Sequence, residues 1–311
     1  MMPENLRVSV ILVNWNGYKD TAACLSSLRG INYNPLKVVV VDNNSSEAEG
    51  IKLKENFPEI TLIQNKINRG FAGANNDGLK WARLNGFEAA WILNNDTVVD
   101  PDSLRFQIRH FRKNDVAAVG SKILFFRDER IWSRGVRLLD FTFKFPFIHF
   151  FSNIGEGEPD KNQIKTGDAA YISGCSILLR TDIPGTYFDE KYFAYCEDMD
   201  LCFRLRKQGY RLIYEPGSVI RHKASKSTGG KKYNRTTLYY TTRNKLYFFR
   251  DHLGVYAILL LPVYGLNLVQ TIARILLFSP GRKDLLKAVF MGFLDGIKYY
   301  FGISVPYVRG K

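Results

Sequence analysis

Asp42 and Asp96 each close an apolar run, "VVVVDNN" and "AAWILNNDT", and Asp198 stands in "CEDMD" at the head of a charged helix. Three carboxylates can divide one reaction among them. A nucleotide's ribose or base needs an acceptor, which Asp42 could supply. A departing diphosphate needs its charge neutralised, typically by a hard divalent cation held on carboxylate oxygen, and Asp96 could hold it. A hydroxyl that attacks a sugar needs a general base, and Asp198 could serve. Each stretch also has a plainer reading. Asn94-Asn95-Asp96 can form an Asx turn, and Asp198 can be a first-turn acid that complements a helix dipole.

The elements that must carry these acids argue for a shared site. Val8–Val13 reads as a strand ending at Asn14, Leu36–Val41 as a fully apolar strand ending at Asp42, and Trp91–Leu93 as another before Asp96. An amphipathic helix follows the first. A third strand, a Gly/Asn-rich loop and a helix span Ile60–Gly86. Alternating strands and helices predict an α/β fold, a Rossmann-like, mostly parallel sheet with helices on both faces. Right-handed crossovers put these strand ends on one edge, where open α/β sheets take their ligands. Asn14, Asp42, the loop around Gly70 and Asp96 then converge, and one polar site explains them better than four separate turns. Beyond them, Asp140–Thr166 reads as a long loop, Ala169–Arg180 as a strand, and Glu197–Gly209 as a helix with acids first, bases last and glycine beyond.

Several chemistries are excluded. No G-x-G-x-x-G follows the first strand, which continues as "NWNGYKD", and no Walker sequence occurs, so hydride transfer and P-loop phosphoryl transfer are poor candidates. Four cysteines without a CxxC pair favour a reducing compartment, and the N-terminus lacks the pattern of an export signal.

The net charge of +14 asks for an anionic partner. Lys226–Arg250 holds seven Lys or Arg, six aromatics and no acid, and Leu253–Phe278 after it is the most apolar segment of the chain. Charge beside such a segment suggests an anionic membrane surface rather than nucleic acid. Pro262, Gly265, Asn267, Gln270 and Arg274 interrupt the apolar run. An interfacial helix pair, with Leu285–Gly302 as its second member, is favoured over a spanning helix. The expected division is 1–225 for chemistry and 226–311 for a helical, membrane-associated region.

The order "VSVILVNWNG", "VVVVDNNSS", "NRGFAGANNDG", "ILNNDT", "SGCSILLR", "FDEKYFAYCEDMDLCFRLRKQGY" and "YYTTRNKLYFFR" resembles family 2 glycosyltransferases, in particular the bacterial rhamnosyltransferase-like group. The resemblance covers roughly Arg7–Arg250. It implies a GT-A fold and an inverting transfer from a nucleotide-diphosphate sugar, possibly with rhamnose as the sugar, to a hydroxyl of a lipid-linked or cell-surface polysaccharide precursor. It implies work at the cytoplasmic face of a bacterial inner membrane, as a peripheral or monotopic protein. By resemblance Asp42 contacts the nucleoside, Asn68, Gly70 and Asn76 belong to the donor loop, and Asn95-Asp96 stand at the metal-binding DXD. Asp198 matches the base, and His222 matches a position that helps to hold Mg²⁺ or Mn²⁺, or the diphosphate. Arg204 matches the family arginine of the Asp198 helix, or is simply an i,i+4 partner of Asp200. Two departures stand out. "NND" keeps only the last acid of the DXD, and "GTYFDE" has one residue more before Phe188 than the usual pattern. The rivals are a sugar-nucleotide synthesising transferase, which needs a basic Gly-rich loop after the first strand, and an inert membrane-bound glycan-binding scaffold, against which the retained acids count.

Overall fold

Strands β1 (Val8–Asn14) and β2 (Leu36–Asp42) pair in parallel, with Asn14 level with Asp42 at their carboxyl ends. The computed structural model in which they are seen describes residues 6–134, 136–140, 149–161, 165–223 and 234–305. Strand β3 (Thr61–Gln64) adds in parallel to β2, and β4 (Ala89–Leu93) adds in parallel to the other side of β1. The connections run through α1 (Tyr18–Leu28), α2 (Glu49–Asn56) and α3 (Gly70–Leu84). All four strands therefore deliver their ends to one edge, as expected.

The rest of the sheet is mixed. Following β4 come β5 (Thr97–Val99), α4 (Ser103–Ile108), β6 (Val116–Phe125) and β7 (Ile131–Ser133). Then come β8 (Val136–Asp140), β9 (His149–Asn153), β10 (Gly167–Asp168), β11 (Ser176–Arg180), α5 (Glu197–Lys207) and β12 (Arg211–His222). The main path is β10-β12-β6-β11-β4-β1-β2-β3, with β11 antiparallel to both β4 and β6. Side chains alternate between two cores. Val10, Leu12, Val40 and Trp91 face one side with α1 and α4, while Ile11, Val39, Val41 and Ile92 face α3 and α5 on the other.

Three local expectations change. The described part of Asp140–Thr166 is not a plain loop: β8 and β9 form an antiparallel hairpin, Val136 opposite Asn153, apart from the main sheet. A two-stranded ribbon needs no long periodic run, which is why the pattern looked featureless. Residues 141–148 and 162–164 lie outside the described residues. The strand expected over Ala169–Arg180 narrows to Ser176–Arg180; just before it the Gly174 backbone N–H donates to the Asp198 side chain instead of to a neighbouring strand, and the Tyr171 hydroxyl reaches the same carboxylate.

The Gly/Asn-rich run expected as a loop is mostly the start of α3, where its small residues let the helix lie close on the sheet. A Cβ at Gly78 would overlap the buried Ile11 side chain. Gly78→Ala is accordingly expected to destabilise the fold by about 1–3 kcal/mol through overpacking. An unchanged unfolding midpoint would show that the helix has room to move.

After β12 the chain is described again from residue 234. Helix α6 (Arg235–Phe248) is followed by α7 (Ala257–Phe278) and α8 (Arg282–Tyr300). The boundary expected between 225 and 226, and residues 226–233 of the basic segment, lie outside the described residues. Helix α8 rests along α6 through its small residues. Cβ atoms at Gly292 and Gly296 would come within 2.5 Å of the Tyr239 carbonyl and 2.7 Å of Leu246. The Tyr239 hydroxyl also donates to Asp295 at 2.7 Å. The second member of the expected interfacial pair is thus anchored to α6. Helix α7 differs: it is long and apolar enough to cross a membrane, with a mean hydropathy of 1.5 over its most apolar window. Leu259, Val269 and Phe278 on it are 73%, 63% and 79% exposed.

Candidate active site

Asp96 and His222 meet because β5 pairs antiparallel with the end of β12, placing His222 opposite Thr97. The imidazole Nε2 lies 3.0 Å from Asp96 Oδ1, and the backbone N–H of Lys223 donates to the Asp96 carbonyl at 2.9 Å. Both side chains are buried. Burial opposes charge on the ring, but Cys175 and Asp96 more than offset it, so the His222 pKa is pushed up to about 10. Asp96 Oδ2 is buried and has no hydrogen-bond partner among the described residues. The orphaned carboxylate oxygen of Asp96 is a donor suited to Mg²⁺ or Mn²⁺, which usually takes only one or two protein carboxylates and completes its shell with phosphate and water; the His222 ring, protonated at that pKa, would have to give up its proton to join it. Among the described residues no cluster of three or more His, Cys, Asp or Glu forms a cage.

Asp198 is the second residue of α5. Its Oδ2 accepts from the Tyr171 hydroxyl at 2.5 Å and from the Gly174 N–H at 2.8 Å, and its Oδ1 accepts from the Met199 N–H at 2.8 Å. Burial raises its pKa, and these hydrogen bonds partly restrain the rise. Glu197 beside it is pushed well above the usual range by burial and by the adjacent Asp198 charge, and its Oε2 is buried without a partner. Two neighbouring carboxyls in one buried segment do not both ionise readily. The hydrogen bonds favour placing the charge on Asp198 and the proton on Glu197.

One loop joins the two acidic centres. Tyr171 and Gly174 bond Asp198, while the next residue, Cys175, accepts from the Asn94 N–H at 2.9 Å and lies beside His222. Asp198 and the Asp96–His222 pair therefore flank one short segment at the carboxyl edge of β4.

The other candidates divide into edge-lining and scaffold positions. Asp42, 5% exposed at the end of β2, accepts from Asn14 Nδ2 at 3.1 Å. Asn14 is fully engaged: Nδ2 also lies 3.0 Å from Ser45 and from Glu49, and Thr21 donates to its Oδ1 at 2.7 Å. Its geometry shapes the Asp42 corner. Asn95 Nδ2 donates to the Thr21 hydroxyl at 2.8 Å, tying the Asp96 turn to α1. Asn68 Oδ1 accepts from the Gly70 N–H at 2.8 Å and from Asn43 Nδ2 at 2.9 Å. Gly70 has φ +70°, and a Cβ there would collide with Phe193. Asn76 exchanges bonds of 2.8 and 2.9 Å with the Phe188 backbone, so it clamps α3 to the "FDE" segment.

Sequence reasoning missed Asn43, whose amide links Asn65, Asn68, Arg69 and Gly70, although it stands in the same "DNN" as Asp42. It also missed Tyr171 and Gly174, because "AAYISGCSILLR" reads as one strand. Arg204 bonds Asp200 at 2.8 Å and the carbonyls of Gly185 and Tyr187, a buttress of the α5 helix.

The model of glycosyl transferase family 2 matches residues 9–183, more than half of the chain. The chain belongs to this family. Its expected GT-A fold holds as well. A mannosyltransferase from Pyrobaculum calidifontis, solved with GDP-Man and Mn²⁺, superposes with a TM-score of 0.57 at 16% identity, over 96% of this chain and 88% of that one. GalNAc-T7, solved with UDP, GalNAc and Mn²⁺, gives 0.57 at 13% identity, over 79% and 50%. A poly-β-1,6-N-acetyl-D-glucosamine synthase of Staphylococcus aureus is 26% identical over 229 residues, 72% of this chain and 51% of the synthase. The family 2 chain thus spans about half the length of the curated relatives it matches.

Proposed function

We propose that this chain is an inverting glycosyltransferase. It moves a sugar, with rhamnose the candidate from the motif order, from a nucleotide diphosphate to a hydroxyl of a lipid-linked or cell-surface polysaccharide precursor. The observation that carries the reading is the 171–175 loop, with a hydrogen-bonded carboxylate at one end and an Asp–His pair at the other. Asp198 takes the acceptor hydroxyl proton, and the oxygen attacks the anomeric carbon. The bond to the diphosphate breaks on the opposite face, the nucleotide leaves with its electron pair, and the configuration inverts. Asp42, with Asn14 behind it, receives the nucleoside, and Asn43, Asn68 and Gly70 shape the donor loop. Mg²⁺ or Mn²⁺, when bound, supplies charge neutralisation for the leaving diphosphate, and Asp96 and His222 are the residues that would hold it. Mn²⁺ with GDP-Man in one solved neighbour, and with UDP and GalNAc in the other, supports this, and the poly-N-acetylglucosamine synthases support a polysaccharide product.

The test is a donor panel. UDP-, dTDP- and GDP-sugars are offered to the purified chain with Mn²⁺, and protection against thermal unfolding and release of nucleoside diphosphate are measured. One nucleotide class is expected to protect and to be turned over. Protection by none would overturn the reading.

The same proposal places the chain on the cytoplasmic face of a bacterial inner membrane, with 1–225 for transfer, 226–311 for membrane contact, and α6 touching both. Exposed apolar residues on α7 support it. Intact protein is expected to float with anionic liposomes and to stay with them at high salt, because apolar burial survives charge screening. Leu259→Asp with Val269→Asp is expected to make that binding salt-sensitive. Protein that stays at the bottom of the gradient without detergent would remove the membrane from the proposal.

A further inference from the structure

The segment that leads into α5 is held in an unusual shape by two side chains of α6. Phe193, Tyr195 and Cys196 all have positive φ, +64°, +69° and +73°, which residues with side chains rarely adopt. Something must fix it. The Nδ2 amide of Asn244 lies 2.9, 2.9 and 2.7 Å from the carbonyls of Tyr192, Ala194 and Tyr195. The Arg243 guanidinium donates to the carbonyls of Lys191 and Tyr192 at 2.8 and 3.1 Å, and its Nε donates to Asn244 Oδ1 at 2.8 Å. Both residues are buried, at 3% and 0% exposure, and the rings of Tyr239, Tyr240 and Tyr247 surround the guanidinium.

The held segment touches both halves of the site. On one side the Phe193 carbonyl accepts from the Ala72 N–H, and Phe193 lies against Gly70 of the donor loop. On the other, Cys196 immediately precedes α5, and two residues later comes Asp198. A carbonyl-by-carbonyl clamp on such a segment sets where the carboxylate stands relative to the donor loop.

We infer that Arg243 and Asn244 are positioning residues, which fix the Asp198 carboxylate against the Gly70 loop through the backbone of residues 191–196. The inference rests on the proposed role of Asp198 as the base. It gives a task to "TTRN", the part of the motif order that the mechanism leaves without one. Because α8 is anchored on α6, it also ties the base to the C-terminal helices.

The test is a double-mutant cycle of Asn244→Ala with Asp198→Asn in the full-length protein, read as nucleoside diphosphate release from whichever of dTDP-rhamnose, UDP-N-acetylglucosamine and GDP-mannose the wild type turns over. Misplacing a reacting group by about an ångström slows reactions up to ~10²-fold. Asn244→Ala is therefore expected to lower kcat by roughly 10–100-fold while the donor KM moves less than about 3-fold. In the Asp198→Asn background the same change should cost little, since residues acting through one group are not additive. Equal losses in both backgrounds, or a full-rate Asn244→Ala, would overturn the inference and leave the base standing. A full-rate Asp198→Asn would instead remove the base and the inference with it. Hydrogen exchange supplies a readout independent of turnover. Amides of residues 193–198 should exchange at least about tenfold faster in Asn244→Ala, with β1 and β4 unchanged. Unchanged protection at 193–198 would also overturn it. If Asn244→Ala does not fold, Arg243→Lys, which keeps the charge but loses the fork, enters the same measurements.

Discussion

Asp198→Asn is expected to lower sugar transfer by ~10²-fold or more while the nucleotide still binds, the scale of lost general-base catalysis. The substitution keeps the shape of the side chain. The amide oxygen can keep the bonds from Tyr171 and Gly174, which hold the loop, while the NH2 group in the place of Oδ1 no longer accepts from the Met199 N–H, a loss confined to the first turn of α5. What disappears is a lone pair basic enough to take the acceptor proton. The pH dependence follows from the same burial. A base works only when ionised, and burial raises the Asp198 pKa above its ordinary value of about 4. The transfer rate should therefore fall as pH drops through a value higher than that of an ordinary aspartate. Glu197, Tyr171 and Cys202 are the titratable neighbours that share this environment, and all three are shifted upward. Residual turnover of Asp198→Asn should lack that acid limb. The measurement is the initial rate of transfer against pH for both proteins, with nucleotide affinity measured in parallel. A variant that turns over at the wild-type rate would take Asp198 out of the mechanism.

How much of this was legible before any coordinates follows a physical line. The placement of residues at the ends of parallel strands was legible, because strand direction and right-handed crossovers fix where those ends lie. Asp42 and Asp96 are such residues. His222 was reached by resemblance alone. Its place beside Asp96 depends on β5 pairing backwards with β12, a register that no local pattern encodes. Asn14 and Asn76 show the opposite limit. Their types suit ligand binding, yet their amides bond protein groups, because a polar side chain at a crowded corner satisfies its nearest neighbours first.

Tyr171 and Gly174 were hidden by a different effect. The apolar run that contains them is long enough to be a single strand, and nothing local in it shows that the Gly174 N–H turns to the Asp198 side chain before the strand begins at Ser176. In the C-terminal helices, composition identified the apolar segment but not its packing. Helices α7 and α8 both carry apolar surface, yet Gly292 and Gly296 let α8 settle against α6. Close approach of backbones is set by the absence of side chains, which a hydropathy pattern scarcely registers.

Removal of divalent metal is expected to reduce transfer by ~10²-fold or more, and Asp96→Asn is expected to damage the same step, because a Lewis acid at a leaving diphosphate is worth several kcal/mol. Asparagine retains the shape of the carboxylate and an acceptor for His222 Nε2, so loss of fold should not confuse the outcome. Only the charge and the orphaned oxygen change. Mn²⁺ added back after chelation should restore the wild type and leave Asp96→Asn slow. Binding provides an independent check: Mn²⁺ in the presence of nucleoside diphosphate should bind the wild type measurably more tightly than the variant, as followed by electron paramagnetic resonance. "NND" bears on the size of the effect, since one acid in place of two leaves more of the ion's shell to the diphosphate. Affinity for Mn²⁺ alone should therefore be weak and should rise sharply when the nucleotide is present. If chelated enzyme runs at full rate, the Asp96–His222 contact is an ion pair and no more. The leaving-group charge would then fall to basic side chains at the same edge, of which Lys223, bonded to Asp20 at 2.9 Å and adjacent to His222, is the first to replace.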